Sequence, residues 1–334
     1  MSILSPAVNL LHIPPMLVQI YRQLRRQRLF MQQHLQPLLQ QARLTNDGSL
    51  GTDDFKKIEN YYSLAVPAVL GEAWAALRGR PLTQSDRYAA TMLATTTGLY
   101  DDYFENKALT DAYIEKLYRY PDQYTGQNSN EKLANYCWRE ALQKGASADT
   151  LTHYAHLVHR AQIASRKQLL PDTSLAEIES TTFDKGGYSV LIYLSVLEAP
   201  MSAPDTELLY RAGALLQLEN DLFDVYKDQR DGIRTLATTA ADIAPLRALY
   251  LQRWLLVKQA IAQTSHPAAG KARFRRILSA IVARGFVCLD MLAIRQRQNG
   301  GVFNPAVFTR KQLICDMEKP QNLLKTLYYF ARYT

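Results

Sequence analysis

Apolar residues recur at helical spacing along nearly the whole chain. The periodic segments predict helices over residues 16–43, 55–78, 84–106, 109–118, 130–144, 148–168, 174–198, 204–230, 239–264, 271–298 and 309–333. No segment alternates with the period of two that marks a strand. Breaks fall at TNDGSLGTDD (45–54), PDQYTGQNSN (121–130), QTSHPAAGK (263–271) and QNGGVFNP (298–305), all rich in turn-forming residues. Within 16–43, Pro37 predicts a kink, because its ring clashes with the preceding turn. Asp53 or Asp54 is expected to cap the helix after the first break. With no internal repeat and no linker, the expectation is an all-α fold, a single helical bundle over residues 1–334 with an N-terminal helical extension of about 50 residues.

Composition supports that expectation. The 334 residues are 47% hydrophobic with only 15 Gly and 14 Pro, enough for a sizeable core and too little punctuation for an all-β chain. A net charge of +8 favours anionic partners without choosing among diphosphates, nucleic acid and acidic lipid. Cys137, Cys288 and Cys315 are odd in number and widely spaced, which suggests neither a disulfide framework nor a thiolate zinc site and fits a reducing cytoplasm. The N-terminus lacks a basic leader and a cleavage site, and no run of 18 apolar residues occurs, so neither a signal peptide nor a membrane span is expected.

Two acidic clusters carry the candidate chemistry. In TTTGLYDDYFEN, Asp101, Asp102 and Glu105 stand three and four positions apart, so a helix turns their carboxylates toward one face. In QLENDLFDVYKDQRDG, Asn220, Asp224 and Asp228 form an i, i+4, i+8 stripe. Like charges so placed repel unless a cation lies among them, and hard oxygen ligands suit magnesium. Lys227 and Arg230 lie beside the second cluster, where they can hold an anion that the metal bridges.

These residues resemble the metal motifs of class I terpenoid synthases. DDYFE (101–105) matches the aspartate-rich DDxxD or DDxxE motif, and NDLFDVYKD (220–228) resembles NDxxSxxxE, departing at Asp224, where Ser or Thr is usual, and at Asp228, where Glu is usual. The resemblance implies a helical bundle with a central cavity, in which magnesium, three ions in all with manganese as an alternative, ionises an isoprenyl diphosphate. Asp101, Asp102, Glu105, Asn220, Asp224 and Asp228 would be the metal ligands and Lys185, Lys227, Arg230, Arg332 and Tyr333 the diphosphate contacts. It also implies a helix break at Gly186 and Gly187 that presents a backbone carbonyl to the reacting carbon; close helix packing is the other reading of that pair. Tyr100, Phe104, Phe183, Tyr188 and Tyr193 would wall the pocket, aromatic faces being attractive to a carbocation.

The second motif favours cyclisation of a farnesyl or geranylgeranyl chain over the alternative of a squalene or phytoene synthase-like condensing enzyme, against which residues 218–232 also align. Homodimers are common among the enzymes the chain resembles, and no nucleic acid is expected as a partner. A reading of another class is a basic binding protein that meets nucleic acid or a membrane surface through Arg22 to Arg28 and KARFRRI (271–277). His153, His156 and His159 recur every third residue, a step that fans by about 60° around a helix and does not suit three ligands of one metal.

Overall fold

A computed structural model describes residues 4–105 and 109–334, and every element in them is helical, with no strand among the described residues. In chain order the α-helices are α1 (Leu4–Leu11), α2 (Ile13–His34), α3 (Gln36–Leu44), α4 (Thr52–Lys57), α5 (Ser63–Ala65), α6 (Glu72–Arg78), α7 (Gln84–Glu105), α8 (Asp111–Arg119), α9 (Ser129–Lys144), α10 (Ala148–Ser165), α11 (Leu175–Ser195), α12 (Ala203–Phe223), α13 (Val225–Arg230), α14 (Ile243–Gln263), α15 (Ala268–Gln298), α16 (Arg310–Leu313) and α17 (Pro320–Tyr333). The turns Ile58–Tyr62 and Val66–Gly71 are wider, π-helical segments between α4, α5 and α6.

The punctuation has identifiable causes. The kink expected at Pro37 is the junction of α2 and α3, with Pro37 in the first turn of α3, where its missing N–H costs nothing. Thr110, Asn128 and Asp242 cap α8, α9 and α14 by accepting from the N–H groups of Tyr113, Glu131 and Ala244. Asp53 and Asp54 are not caps: Gly51 is, and Asp54 Oδ2 instead reaches back 2.7 Å to the Gly51 N–H from the first turn. The segment 309–333 is two helices and not one, because Pro320 restarts the chain after an irregular stretch.

The residues cluster into two compact units. One comprises Met16–Ile163 with Leu191–Ser202, the other Met1–Pro15, Ala164–Val190 and Ala203–Thr334, so α11 contributes to both. In the first unit α7 packs on α9, and the buried Arg87 on α7 bonds Gln27 and pairs with Glu72. In the second, α12 packs on α14 and α15, and α15 carries α17, which in turn packs on α1. Within α15 an 18-residue window reaches a mean hydropathy of 2.0, long and apolar enough to cross a membrane, and 61% of it is buried in the protein, as a core helix requires.

Candidate active site

The first motif occupies the last turns of α7. The side chains of Asp101 and Glu105 lie outside the described residues, so the convergence expected of them is not addressed. Asp102 is half-buried and paired with Lys57, whose Nζ is 2.8 Å from Oδ1 and 3.2 Å from Oδ2. Asp54 stands beside this pair: burial, and then the Asp102 carboxylate, hold its carboxyl above the ordinary range against the pull of the Gly51 N–H and Lys57. Asp102 therefore already has a cation of the chain's own.

Behind the motif is an aromatic cluster of the same unit. The Tyr100 ring meets Tyr103, Phe104 and Tyr118 edge-on at centroid distances of 5.5, 5.3 and 6.2 Å. The Tyr100 hydroxyl is 3.2 Å from Nδ1 of the buried His159, whose ring also contacts Phe104 and Tyr118. A cavity of about 20 Å³ is lined by Tyr100, Tyr103, Tyr118, Glu131 and Trp138 among others. That is room for a water molecule and not for an isoprenoid chain. His156 turns to the Tyr118 hydroxyl at 3.0 Å and His153 to the Tyr154 ring, so the three histidines engage different polar or ring groups.

The second motif spans the junction of α12 and α13. The expected stripe is present, but the helix bends at Asp224, which leaves helical geometry at φ −91°, ψ 7° while keeping the i to i+4 hydrogen bonds from Asp224 to Asn220 and from Asp228 to Asp224 at 2.9 Å each. Asn220 Nδ2 donates to Asp224 Oδ2 at 3.2 Å. Asp228 is buried and, among the described residues, its carboxylate receives no hydrogen bond. Burial first, then the charges of Asp221 and Asp224, push its carboxyl from 3.8 up to about 7, with Lys227 and Lys185 pulling the other way.

Asp221, which the i, i+4, i+8 stripe passes over, joins this group. It is buried, accepts from Thr182 Oγ1 at 3.1 Å and Gln217 Nε2 at 2.9 Å, and is pushed up to about 6 by burial despite those bonds and the Lys185 charge. It is the Asp of the NDLFDVYKD match, one position off the stripe of Asn220, Asp224 and Asp228. The ammonium groups of Lys185 on α11 and Lys227 on α13 make no hydrogen bond or ion pair among the described residues. Arg230 is engaged: its guanidinium grips Asp231 through two bonds of 2.7 and 3.0 Å, in an exposed pair that exchanges at small cost.

The helix break expected at Gly186 and Gly187 is not formed: α11 runs unbroken from Leu175 to Ser195. The glycines serve packing. A Cβ on Gly186 would collide with the Gly213 carbonyl oxygen of α12, and one on Gly187 with the Tyr210 ring. The aromatic residues expected to wall one pocket divide between the units, Phe183 and Tyr188 in one and Tyr100, Phe104 and Tyr193 in the other. Phe183 already holds a cation, with the Arg253 guanidinium 3.9 Å from its ring centroid and bonded to Glu179. Tyr188 packs edge-on against Tyr210, whose hydroxyl donates to Asp184 at 2.6 Å.

The late Arg332–Tyr333 pair serves the end of α17. Arg332 donates to the Tyr328 hydroxyl at 2.7 Å, and the Tyr333 ring stacks on Phe286 at 4.4 Å. Among the described residues neither bonds residues 220–228. No three His, Cys, Asp or Glu side chains among the described residues are grouped tightly enough to make a metal site by themselves. The second motif, with one amide and clustered carboxylates, has the hard-oxygen chemistry that magnesium takes. In comparisons with known proteins, no family model and no curated protein matches the chain.

Proposed function

We propose that the chain is an enzyme of the class I terpenoid synthase type, which uses magnesium to ionise farnesyl or geranylgeranyl diphosphate in the cytoplasm and steers the allylic cation to a cyclic terpene. The observation that carries this reading is the charge state of the second motif: Asp221, Asp224 and Asp228 repel one another, and buried Asp228 has no donor. A folded chain keeps such an arrangement at a cost, and functional sites are where that cost is tolerated. Bound there, magnesium would neutralise the carboxylates and polarise the leaving diphosphate as a Lewis acid.

Asn220, Asp224 and Asp228 are the residues that would hold the ion, with Asp221 setting the local charge. Lys185 and Lys227, which have no acidic bond of their own, are suited to bind diphosphate oxygens, and Arg230 joins them on releasing Asp231. Asp101, Asp102 and Glu105 are proposed as a further ligand set, Asp102 exchanging Lys57 for a magnesium ion. The cyclase reading is preferred because NDLFDVYKD resembles the cyclase form of the second motif.

The test offers geranyl, farnesyl and geranylgeranyl diphosphates to the whole chain with magnesium or with EDTA and measures diphosphate release and organic products. Terpene hydrocarbon or alcohol that requires magnesium, and is lost in folded Asn220→Ala and Asp224→Asn variants, is the expected result. A dimeric C30 or C40 product would move the assignment to the condensing enzymes. Absence of both turnover and magnesium-dependent diphosphate binding would sink the proposal.

A further inference from the structure

One surface of the second unit combines exposed apolar side chains with cations that have no acidic partner. On α17, Leu323, Leu324, Leu327 and Tyr328 share one face by i, i+4 spacing, and all are exposed, Leu324 at 66%. Tyr329 and Tyr333 on the opposite face are buried or stacked in the core, and Phe330, which borders the leucine face, is buried too, so the exposed leucines are the outward part of a helix that is apolar on more than one side. Helix α1 packs on α17, fixed where Asn9 Nδ2 donates to the Ala331 carbonyl at 3.1 Å, and adds Val8 and Leu11, the latter 75% exposed.

The cations stand by the C-terminal ends of α17 and α1. Lys258 Nζ donates to the Tyr333 carbonyl at 3.2 Å, and Arg276 bonds His12, the neighbour of Leu11, at 3.1 Å. Arg275 lies close enough that its charge disfavours the charged forms of both Lys258 and Arg276, for which burial is the larger cause. None of the three has an acidic partner among the described residues, and two buried polar atoms one helical turn apart, Arg275 Nε and Ser279 Oγ, have no hydrogen-bond partner. Three clustered cations without an acidic partner are complementary to an anionic surface.

We propose that this α1, α15 and α17 surface docks on an anionic phospholipid bilayer, with Lys258, Arg275 and Arg276 receiving headgroup phosphates and Leu11, Leu324, Leu327 and Tyr328 entering the interface. Apolar side chains flanked by cations are the pattern by which a soluble protein lies on such a membrane, since area burial and headgroup attraction add. Charge argues against a second copy as the occupant, because a two-fold contact would bring the same unpaired cations on both chains to one interface. The inference is independent of the proposed catalytic site and stands whether or not that site ionises a diphosphate.

The experiment is co-sedimentation of the whole chain with phosphatidylcholine vesicles, with and without phosphatidylglycerol, at low and raised salt. Binding is expected only to vesicles containing phosphatidylglycerol, weakened by salt, and about tenfold weaker for the Leu324→Asp, Leu327→Asp double variant. An Arg275→Gln, Arg276→Gln variant, checked for native helix content, should lose the preference for anionic vesicles. Wild-type affinity in the leucine variant would overturn the proposal, as would absence of binding to either vesicle. A dimer in light scattering that Leu324→Asp disperses would overturn it too, by assigning the face to a second copy.

Discussion

Gly186 and Gly213 touch through their backbones: a Cβ added to either would overlap the carbonyl oxygen of the other. Helices α11 and α12 therefore cross at the closest approach that two chains without side chains allow, and the crossing holds Thr182 and Lys185 against the Asp221 segment. Gly186→Ala must push the helices apart or bend one, a strain of about 3 kcal/mol for overpacking in a dense interior. Urea unfolding should show that loss. Because Thr182 and Lys185 shift with the helix, magnesium-dependent activity should fall further than the folded fraction does.

Asp228→Asn should separate stability from function. In metal-free protein at neutral pH the substitution removes a buried charge that receives no hydrogen bond and faces Asp221 and Asp224. Neutralising it should raise the stability to urea by about 1–2 kcal/mol. If magnesium binds as proposed, magnesium with inorganic diphosphate should raise the melting temperature of the wild type and leave that of this variant unchanged. A variant less stable than wild type in EDTA would show that the carboxylate is satisfied by groups other than a cation.

Much of the fold was legible because long apolar-rich stretches without strand alternation mark the helices, and Pro37 marks its kink in the sequence as it does in the structure. Where the reading failed, local signals lacked the tertiary partner. Gly186 and Gly187 suggest a helix break in isolation, yet they sit in a continuous helix because Gly213 and Tyr210 of α12 need the space. Similarly, nothing adjacent to Phe183 reveals that Arg253, far along the chain, covers its ring. Asp221 is part of the NDLFDVYKD match, but its burial against Thr182 was not legible, because Thr182 comes from another helix. The second motif was readable as a local cluster; the engagement of Asp102 by Lys57 was not, because that pair joins α7 to α4.

Tyr103 tests the aromatic cluster behind the first motif. Its hydroxyl is buried and has no hydrogen-bond partner among the described residues, and it borders the 20 Å³ cavity. A single water there would satisfy it. Tyr103→Phe removes the polar atom while preserving the ring contacts with Tyr100, so it is expected to be neutral to stabilising by about 1 kcal/mol. Denaturant unfolding of the pair checks this; a loss above about 1 kcal/mol would mean that a bound water links Tyr103 to its surroundings more strongly than a dry cavity allows.

Glu219 should make folding depend on pH in a window where most carboxylates do not titrate. It is fully buried, and burial pushes its carboxyl from 4.5 up to about 7 against the opposing Arg284 charge and Tyr250 hydroxyl. The hydrogen bonding agrees with a neutral acid. Tyr250 has one hydroxyl proton but two acceptors in reach, Glu219 Oε2 at 3.2 Å and the Val282 carbonyl at 3.1 Å, so both bonds form only when Glu219 carries a proton. Between pH 4.5 and about 7 the folded chain binds more protons at this site than the unfolded chain, so stability falls as pH rises through that window and levels off above it. The loss should reach about 2–3 kcal/mol, measured by urea unfolding in EDTA so that no ion at Asn220 intervenes. Glu219→Gln keeps a donor for Tyr250 and removes the titration: its curve should be flatter across the window and lie above the wild type at pH 8. Parallel curves for the two proteins would show that Glu219 stays ionised in the fold, with Arg284 and not a proton as its counterpart.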